Sequence, residues 1–465
     1  MRRTLIAVTC VAALAVGYGT ADAHDRVPGV LTIDEPVSLQ APEPVDVDPV
    51  LEPVSTQAPA PTEGGLATAL RSDLEDKGLG SRVGVVVRDA LTDEVLLARG
   101  EDRPQTPAST AKLLTAAAVA ERADLSRVMT TEVVRGKGDE LVLVASGDTM
   151  LAPGRGDPTK VEGRAGLADL AEEVAASLGT KGRAQRHSLR LDATYAAGER
   201  YAPTWDMADV AAGYTQGVTM IGLAGERPIP FRASPRYPER SVLTAFARAL
   251  KAEGVRVSVD DSASSWRRAA PQGAEELGAV DSAPLGDVLA LALDDSDNAL
   301  TENVARQAAV ADGAGTSFAA VADWVQSTLE DAGVDLTGVE LKDSCGLSSG
   351  QLVPARVISD VMQLGITGSA TTMTRVLSEL PVAGLTGTLH DRFRTDDTRP
   401  AAGVARAKTG TLTGTSALAG TTTTAEGRLL TYVIVADRVP STTGTLGARA
   451  ALDRVVADIT ACGCR

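Results

Sequence analysis

Three short motifs contain residue types that are scarce in this chain and that are suited to acyl transfer. The 465 residues include eight lysines and two asparagines, and two of those lysines and one asparagine lie in the motifs. Arginine is abundant here, yet only lysine readily loses its proton in a buried site, so these lysines are candidate bases. Each motif occurs once, in the order Ser109-Thr110-Ala111-Lys112, Ser296-Asp297-Asn298 and Lys408-Thr409-Gly410.

The first motif pairs a hydroxyl with an amine at the start of a predicted helix. The apolar run over 113–120 predicts a helix that places Ser109 in its first turn and Lys112 on the same face. A desolvated Lys112 would have a lowered pKa and could accept the Ser109 proton. Taken alone, such a sequence more often marks an ordinary helix start at the surface.

The second motif follows a helix predicted over 285–293 and is therefore expected on a loop. Ser296 could relay a proton between Lys112 and a leaving amine, and Asn298 could hold the amide of a substrate. Taken alone, serine, aspartate and asparagine in this order more often form a helix cap.

The third motif precedes a strongly apolar strand predicted over 429–435. Lys408 and Thr409 can bind a carboxylate, and Gly410 would let a substrate backbone approach its strand closely. The N–H of Thr411 could complete an oxyanion hole with that of Ser109. Taken alone, this segment is a surface turn, but three unique motifs in this order favour one shared site.

Composition excludes several functions. The net charge of −16 argues against nucleic-acid binding and against a polybasic membrane anchor. Only three histidines are present, so we expect no histidine metal site and no Ser-His-Asp triad, and no metal or cofactor is predicted. Residues 1–23 resemble a secretory signal, with an uncleaved anchor as the alternative, and residues 24–65 are acidic and proline-rich, which predicts a disordered tether.

Signal cleavage would leave three cysteines in a compartment that permits disulfides. Cys462 and Cys464 are closely spaced, so we expect a disulfide from Cys345 to one of them. The remaining chain is expected to form one domain from two segments, 66–128 and 281–465, with an inserted region of one or two β-rich subdomains over 129–280. The fold class is α/β (α+β), with an antiparallel sheet flanked by helices and a helical lobe.

Beyond the three motifs, the chain resembles the D-Ala-D-Ala carboxypeptidases/endopeptidases of the class C low-molecular-mass penicillin-binding proteins. The resemblance spans roughly residue 66 to the C-terminus. It includes Ser146–Leu151, similar to the family's Gly-Gly-Asp-Pro-x-Leu, and the strand pair around 407–411 and 417–420. Asp343–Ser348 reads Asp-Ser-Cys-Gly-Leu-Ser where the family usually has Asp-Gly-Ser-Gly-Leu-Ser, so its turn could differ.

The resemblance implies a penicillin-binding, transpeptidase-like fold and a role for each motif. Ser109 would be the acylated nucleophile and Lys112 its base, with Ser296 and Asn298 in proton relay and substrate binding. Lys408 and Thr409 would bind a terminal carboxylate. The substrates would be peptidoglycan stem peptides ending in D-Ala-D-Ala or their D-Ala-diaminoacid crosslinks, and β-lactams would acylate Ser109. The enzyme would be secreted and act outside the cytoplasm, loosely associated with the cell wall or the exterior of the membrane.

Two other functions fit parts of this pattern. A β-lactamase shares the three motifs, but class A enzymes also need a deacylating glutamate with an asparagine after the second motif, and no asparagine follows Asn303. A catalytically silent peptidoglycan-binding protein is the second alternative, although none of the motifs is degraded. The sequence leaves open the balance of carboxypeptidase and endopeptidase activity, the diamino acid and the oligomeric state.

Overall fold

A computed structural model describes residues 57–366 and 371–464. The predicted signal and most of the predicted tether lie outside these ranges. The described residues contain ten strands: β1 (Val83–Asp89), β2 (Val95–Arg99), β3 (Thr130–Arg135), β4 (Glu140–Val144), β5 (Arg186–Asp192), β6 (Arg256–Asp260), β7 (Glu276–Asp281), β8 (Arg406–Leu412), β9 (Thr415–Thr423) and β10 (Leu429–Ala436).

Eleven α-helices complete the described part of the chain, and short 3₁₀ turns connect several of them. The helices are α1 (Glu63–Leu74), α2 (Lys112–Arg122), α3 (Leu167–Ala184), α4 (Met207–Ala211), α5 (Pro238–Ala252), α6 (Leu285–Asp294), α7 (Asn298–Ala311), α8 (Phe318–Asp331), α9 (Ala355–Ile366), α10 (Thr371–Ser378) and α11 (Gly444–Ala461). Within the range of α3, Gly179 interrupts the helical backbone with φ +61°.

The first sheet is antiparallel and takes strands from both ends of the chain, in the order β2-β1-β10-β9-β8. Because side chains alternate between the two faces of a strand, successive residues of β1 enter different cores. Val85 packs in the core that includes α1 and α11, whereas Val86 packs in the core of the helical lobe. Both faces of this sheet are covered, which confirms the predicted fold class.

The helical lobe is built around α2, whose first nine residues, Lys112 to Ala120, are all buried. Helices α7, α8, α9 and α10 pack against α2. Alanine is frequent along α2, and its small side chains allow neighbouring helices to approach closely. A lysine at the first position of such a helix cannot reach solvent, which matters for its chemistry.

Residues 130–281 form a second sheet with its own core, in the order β6-β5-β4-β3-β7. The pairs β4–β5 and β5–β6 are parallel, and parallel neighbours require a crossover, which α3 and α5 supply. The inserted region is therefore β-rich, as expected, but it also contains the two crossover helices α3 and α5. The sequence of these two helices lies among turn-rich segments, which hid them.

The folded region begins earlier than the predicted boundary at residue 66. Helix α1 starts at Glu63, and the Thr62 side chain caps it by accepting a hydrogen bond from the N–H of Gly65. Thr62 N–H also donates to the Cys464 carbonyl at 2.8 Å, and the Ala58 carbonyl accepts a bond from Arg428 at 3.3 Å. Residues 58–62 are thus fixed at one end by Arg428 and at the other by Cys464.

The predicted disulfide is also wrong. Cys462 is joined to Cys464, with their Cα atoms 5.1 Å apart, and Cys345 is buried and has no disulfide. The chain leaves α11 at Cys462 in an extended conformation, which places the two Cα atoms at a separation that a disulfide can span. Across the residues that the structure describes, no helix has both the length and the apolar character to cross a membrane.

Candidate active site

Ser109 lies in a 3₁₀ turn, Ala108–Ala111, that leads directly into α2. The turn is fixed by the Pro107 carbonyl, which accepts hydrogen bonds from the N–H and the hydroxyl of Thr110. Ala108 has φ +47°, a left-handed conformation that costs a residue with a Cβ roughly 1–2 kcal/mol. Ser109 remains partly exposed and faces a cleft, so the strained turn presents its hydroxyl to solvent.

Lys112 is fully buried and its Nζ has three oxygen neighbours. It donates to Ser109 Oγ at 3.0 Å, to Asn298 Oδ1 at 2.6 Å and to the Cys345 carbonyl at 2.7 Å. Burial lowers the pKa of Lys112, and nearby acidic groups, including Asp343, oppose that change.

The three contacts of Lys112 are suited to a neutral amine as well as to an ammonium. A neutral amine keeps two N–H donors and one lone pair. The two carbonyl oxygens, on Asn298 and Cys345, can only accept, so they take the two donors. The lone pair is then left for the hydroxyl proton of Ser109, which is the geometry that a general base requires.

Ser296 forms the joint between α6 and α7. The N–H of Ser296 donates to Leu293 O at 3.3 Å and that of Asp297 to Ala292 O at 3.0 Å, which is the Schellman pattern that ends many helices. Glycine normally occupies the left-handed position of this motif, yet here Ser296 has φ +57°. This conformation costs a serine roughly 1–2 kcal/mol, so Ser296 is a strained residue whose hydroxyl contacts Lys408.

The simple reading of the second motif as a helix cap is also correct. The Asp297 carboxylate caps α7 by accepting from the N–H of Leu300 at 2.9 Å. Asn298 has a different role, since its amide nitrogen donates to the Tyr214 carbonyl at 2.8 Å while its oxygen accepts from Lys112. The second motif therefore caps α7 through Asp297 and contacts Lys112 through Asn298.

Lys408 is fully buried on β8 and contacts the second motif. Its Nζ donates to Ser296 Oγ at 2.9 Å and to the Thr409 carbonyl at 3.0 Å. Burial, together with the charge of Lys112, holds the pKa of Lys408 well below that of a free lysine. Thr409 extends this polar surface, because its hydroxyl donates to Thr388 Oγ1 at 3.0 Å.

The structure brings the predicted residues to one place, but it gives Gly410 a different function from the predicted one. Thr409 and Thr411 line the cleft with Ser109, Ser296 and Asn298. Gly410 instead faces the turn that carries Ser109, since a Cβ on Gly410 would lie 2.8 Å from the Pro107 carbonyl oxygen. The glycine therefore allows β8 to approach this turn.

The cleft has a volume of about 760 Å³ and two unlike walls. The motif residues form one wall, and the inserted region supplies the other, including Tyr214, Arg227 and Ile229. Sequence reasoning missed these three residues, because they belong to none of the motifs and lie far from them along the chain. Arg227 in particular is buried against the second motif.

Glu302, Asp343 and Cys345 form the one group among the described residues whose ligand atoms lie close enough to hold a metal ion. Their oxygens already have partners. The Asp343 carboxylate accepts from Trp205 Nε1 and from the backbone N–H groups of Cys345, Gly346 and Ser348, and Glu302 accepts from the N–H of Ser344. We therefore interpret the group as a hydrogen-bond network. It shapes the turn whose Cys345 carbonyl accepts a hydrogen bond from Lys112.

Comparisons with known proteins agree with this arrangement. The model of the D-Ala-D-Ala carboxypeptidase 3 (S13) family matches residues 66–225 and 224–459. The chain is 34% identical over 465 residues to carboxypeptidase DacB of Mycolicibacterium smegmatis, covering 99% of this chain and 95% of that protein. It is 31% identical over 462 residues to a D-alanyl-D-alanine carboxypeptidase of an Actinomadura species, covering 80% and 81%.

Among solved structures, penicillin binding protein 4 of Haemophilus influenzae superposes with a TM-score of 0.65 at 19% identity, covering 84% of this chain and 98% of that one. At this identity the likeness concerns the fold alone. Because 84% of this chain is covered, the likeness includes part of the inserted region as well as the motif-bearing segments.

Proposed function

The chain belongs to the D-Ala-D-Ala carboxypeptidase 3 (S13) family and is a serine-type D-Ala-D-Ala carboxypeptidase, and on that premise we propose that Ser109 is its nucleophile. The observation that carries this assignment is the 3.0 Å contact between Ser109 Oγ and the buried Lys112 Nζ. The family also supports β-lactam binding, and penicillin would then acylate the same hydroxyl.

The first half of the reaction forms an ester on Ser109. Lys112 takes the hydroxyl proton, and Ser109 Oγ attacks the carbonyl carbon of the penultimate D-alanine. The N–H groups of Ser109 and Thr411 would stabilise the oxyanion that develops. The C–N bond then breaks, and the leaving amine receives a proton that passes from Lys112 through the Ser296 hydroxyl, which Lys408 contacts at 2.9 Å.

The second half removes the acyl group with water. Lys112, neutral again after giving up its proton, would activate a water molecule that attacks the ester, and the Ser109 oxygen recovers a proton as it leaves. Atoms balance over the cycle, since one water is consumed and one peptide bond is cleaved. This role of Lys112 in both halves follows from its fixed position between Ser109 and Asn298.

The substrate is expected to lie across the cleft with its terminal carboxylate near Lys408, Thr409 and Thr388. A carboxylate bound beside Lys408 would favour the protonated form of that buried amine, and two neighbouring hydroxyl groups could donate hydrogen bonds to it. Asn298 would accept or donate to the substrate amide. The substrates proposed are stem peptides of peptidoglycan ending in D-Ala-D-Ala, or D-Ala-diaminoacid crosslinks, and the predicted signal supports action outside the cytoplasm, in loose contact with the wall.

A β-lactamase or a silent binding protein is not favoured. The buried lysines are each hydrogen-bonded to a serine, which a protein without catalytic function would have little reason to maintain at the cost of burying two amines. The full-length identity to proteins named as carboxypeptidases also favours peptide cleavage.

Mass spectrometry of muropeptides incubated with the purified protein tests the proposal. Loss of one D-alanine from pentapeptides would demonstrate carboxypeptidase activity, and conversion of dimers to monomers would demonstrate endopeptidase activity. Fluorescent penicillin should label the wild-type protein and leave Ser109→Ala unlabelled, with circular dichroism showing that the variant is folded. A labelled Ser109→Ala protein would refute the nucleophile, and rapid turnover of penicillin without D-alanine release would indicate a β-lactamase.

A further inference from the structure

Arg227 of the inserted region contacts both residues that flank Ser296. Its Nη2 lies 3.1 Å from Asp295 Oδ2, and its Nε donates to Asp297 Oδ2 at 3.0 Å. The same guanidinium donates through Nη1 to Glu162 Oε1 at 2.5 Å. One buried cation therefore holds the residue before Ser296, the residue after it and a loop of the inserted region.

The two aspartates mark the ends of two helices. Asp295 follows the last residue of α6, and Asp297 caps the first turn of α7 through its other carboxylate oxygen. Ser296 stands between them in a left-handed conformation that serine rarely adopts. A planar guanidinium is suited to bridging two carboxylates at a fixed separation, whereas an ammonium acts as a point charge without that geometry.

Electrostatics also requires a cation at this position. Three carboxylates, on Asp294, Asp295 and Asp297, lie around the C-terminal end of α6, where the helix dipole is negative. Asp297 is 7% exposed, so its charge is poorly solvated. Arg227 forms ion pairs with two of these three groups and is itself 9% exposed.

We propose that Arg227 is a positioning residue for the reaction, which keeps the Ser296 hydroxyl directed at Lys408 by bridging Asp295 and Asp297. The inserted region would then contribute to the chemistry as well as to the wall of the cleft. The effect should be confined to Ser296, because the Asn298 side chain is held separately by Lys112 and the Tyr214 carbonyl. This inference rests on the proposed function, in which Ser296 relays the proton to the leaving amine.

A double-mutant cycle tests the inference. Wild type, Arg227→Met, Ser296→Ala and the double variant are compared by the rate of D-alanine release and by the rate of labelling with fluorescent penicillin. A shift of the hydroxyl by about 1 Å can reduce a rate on the order of 100-fold, so Arg227→Met should lower kcat by about that factor with little change in KM. The double variant should be within about twofold of Ser296→Ala alone, since the hydroxyl that Arg227 positions is already absent.

Two further variants complete the design. Arg200→Met removes an arginine of the inserted region that is paired with Glu239 and does not line the cleft, and it should retain wild-type kcat. Arg227→Lys keeps the charge without the bridge and should be nearly as slow as Arg227→Met. Arg227→Lys also replaces Arg227→Met in the double-mutant cycle if Arg227→Met fails to fold.

Additive losses in the cycle would overturn the inference, because Arg227 would then act independently of Ser296. Wild-type rates in Arg227→Lys would also overturn it. Failure of the proposed function has a different signature, in which the wild-type protein itself neither releases D-alanine nor reacts with penicillin.

Discussion

The carbonyl oxygen of Pro107 occupies the space that any side chain at Gly410 would need. A Cβ at this glycine would lie 2.8 Å from that oxygen and 3.3 Å from the Ala108 Cβ. Strand β8, which carries Lys408, and the turn that carries Ser109 are therefore in direct contact at this point. The first and third motifs can lie this close together only because Gly410 has no side chain.

Gly410→Ala should force β8 and the Ser109 turn apart. Overpacking of this kind typically costs roughly 1–3 kcal/mol of stability, and a displacement of the nucleophile by about 1 Å can reduce the rate by up to about 100-fold. The rate of penicillin labelling should therefore fall even at temperatures where the variant is fully folded. Gly154→Ala is the matched control, because its Cβ would meet nothing within 4 Å. An unchanged labelling rate in Gly410→Ala would show that the Ser109 turn can accommodate the extra methyl group without loss of reactivity.

Lys112→Arg should abolish nearly all activity although it preserves a positive charge. Arginine stays protonated at any accessible pH, so it cannot accept the Ser109 proton. Its larger head group must also fit among Ser109, Asn298 and the Cys345 carbonyl, which lie 2.6–3.0 Å from the amine. The measurement is the rate of D-alanine release, with Lys137→Arg, in the exposed turn between β3 and β4, as the control. A variant with near-normal rates would exclude Lys112 as the base.

The rate of Ser109 acylation should depend on pH through Lys112. Only the neutral amine can accept a proton, so the rate should fall as the pH drops through the pKa of Lys112. Burial lowers this pKa from that of a free lysine, and the falling limb should therefore lie on the acid side of the usual lysine range, which is about 10.4. Labelling rates measured at constant ionic strength from about pH 5 to about pH 10 give the profile. A limb centred on the ordinary lysine value would contradict a desolvated base.

The motifs allowed the site to be predicted from the sequence, because their chemistry depends on residue types that this chain otherwise uses rarely. Lys112 and Lys408 could be singled out among eight lysines, and their convergence was predicted from motif order. The contributions of the inserted region could not be predicted in this way. Arg227 is one of many arginines, and Tyr214 acts through a backbone carbonyl, which no residue type reveals.

The errors have local physical causes. Gly410 was assigned to substrate approach, since a glycine in a strand indicates only that something comes close and does not say what. The Cys462–Cys464 bridge was rejected on spacing, but the backbone conformation after α11 determines the distance between the two Cα atoms. The start of α1 was missed because Glu63 and Gly64 look like the end of the acidic, proline-rich segment. A contact with the distant C-terminus, from Thr62 N–H to the Cys464 carbonyl, fixes the residue that caps this helix.

Glu302→Gln should reduce the loss of stability that occurs as the pH rises. Glu302 is buried beside the Ser344–Cys345 turn, and burial, with Asp343 nearby, raises its pKa to about 8. In the unfolded chain this carboxyl ionises near about pH 4.3, so between the two values the folded state binds the extra proton. Because stability falls with rising pH wherever the folded state binds more protons, Glu302 destabilises the fold progressively from about pH 4.3 to about pH 8.

Glutamine does not ionise, and its amide oxygen can still accept the hydrogen bond from Ser344 N–H, 2.7 Å in the wild-type protein. Between about pH 5 and about pH 8, wild type should therefore lose on the order of 3 kcal/mol more unfolding free energy than Glu302→Gln. Urea unfolding at several pH values gives the comparison, and Glu330→Gln, on the exposed side of α8, removes the same charge as a control. Equal pH dependence of wild type and Glu302→Gln would mean that the folded protein keeps Glu302 ionised, with Arg306 as the counter-charge, and that the turn supporting Lys112 is more strongly anionic than its burial suggests.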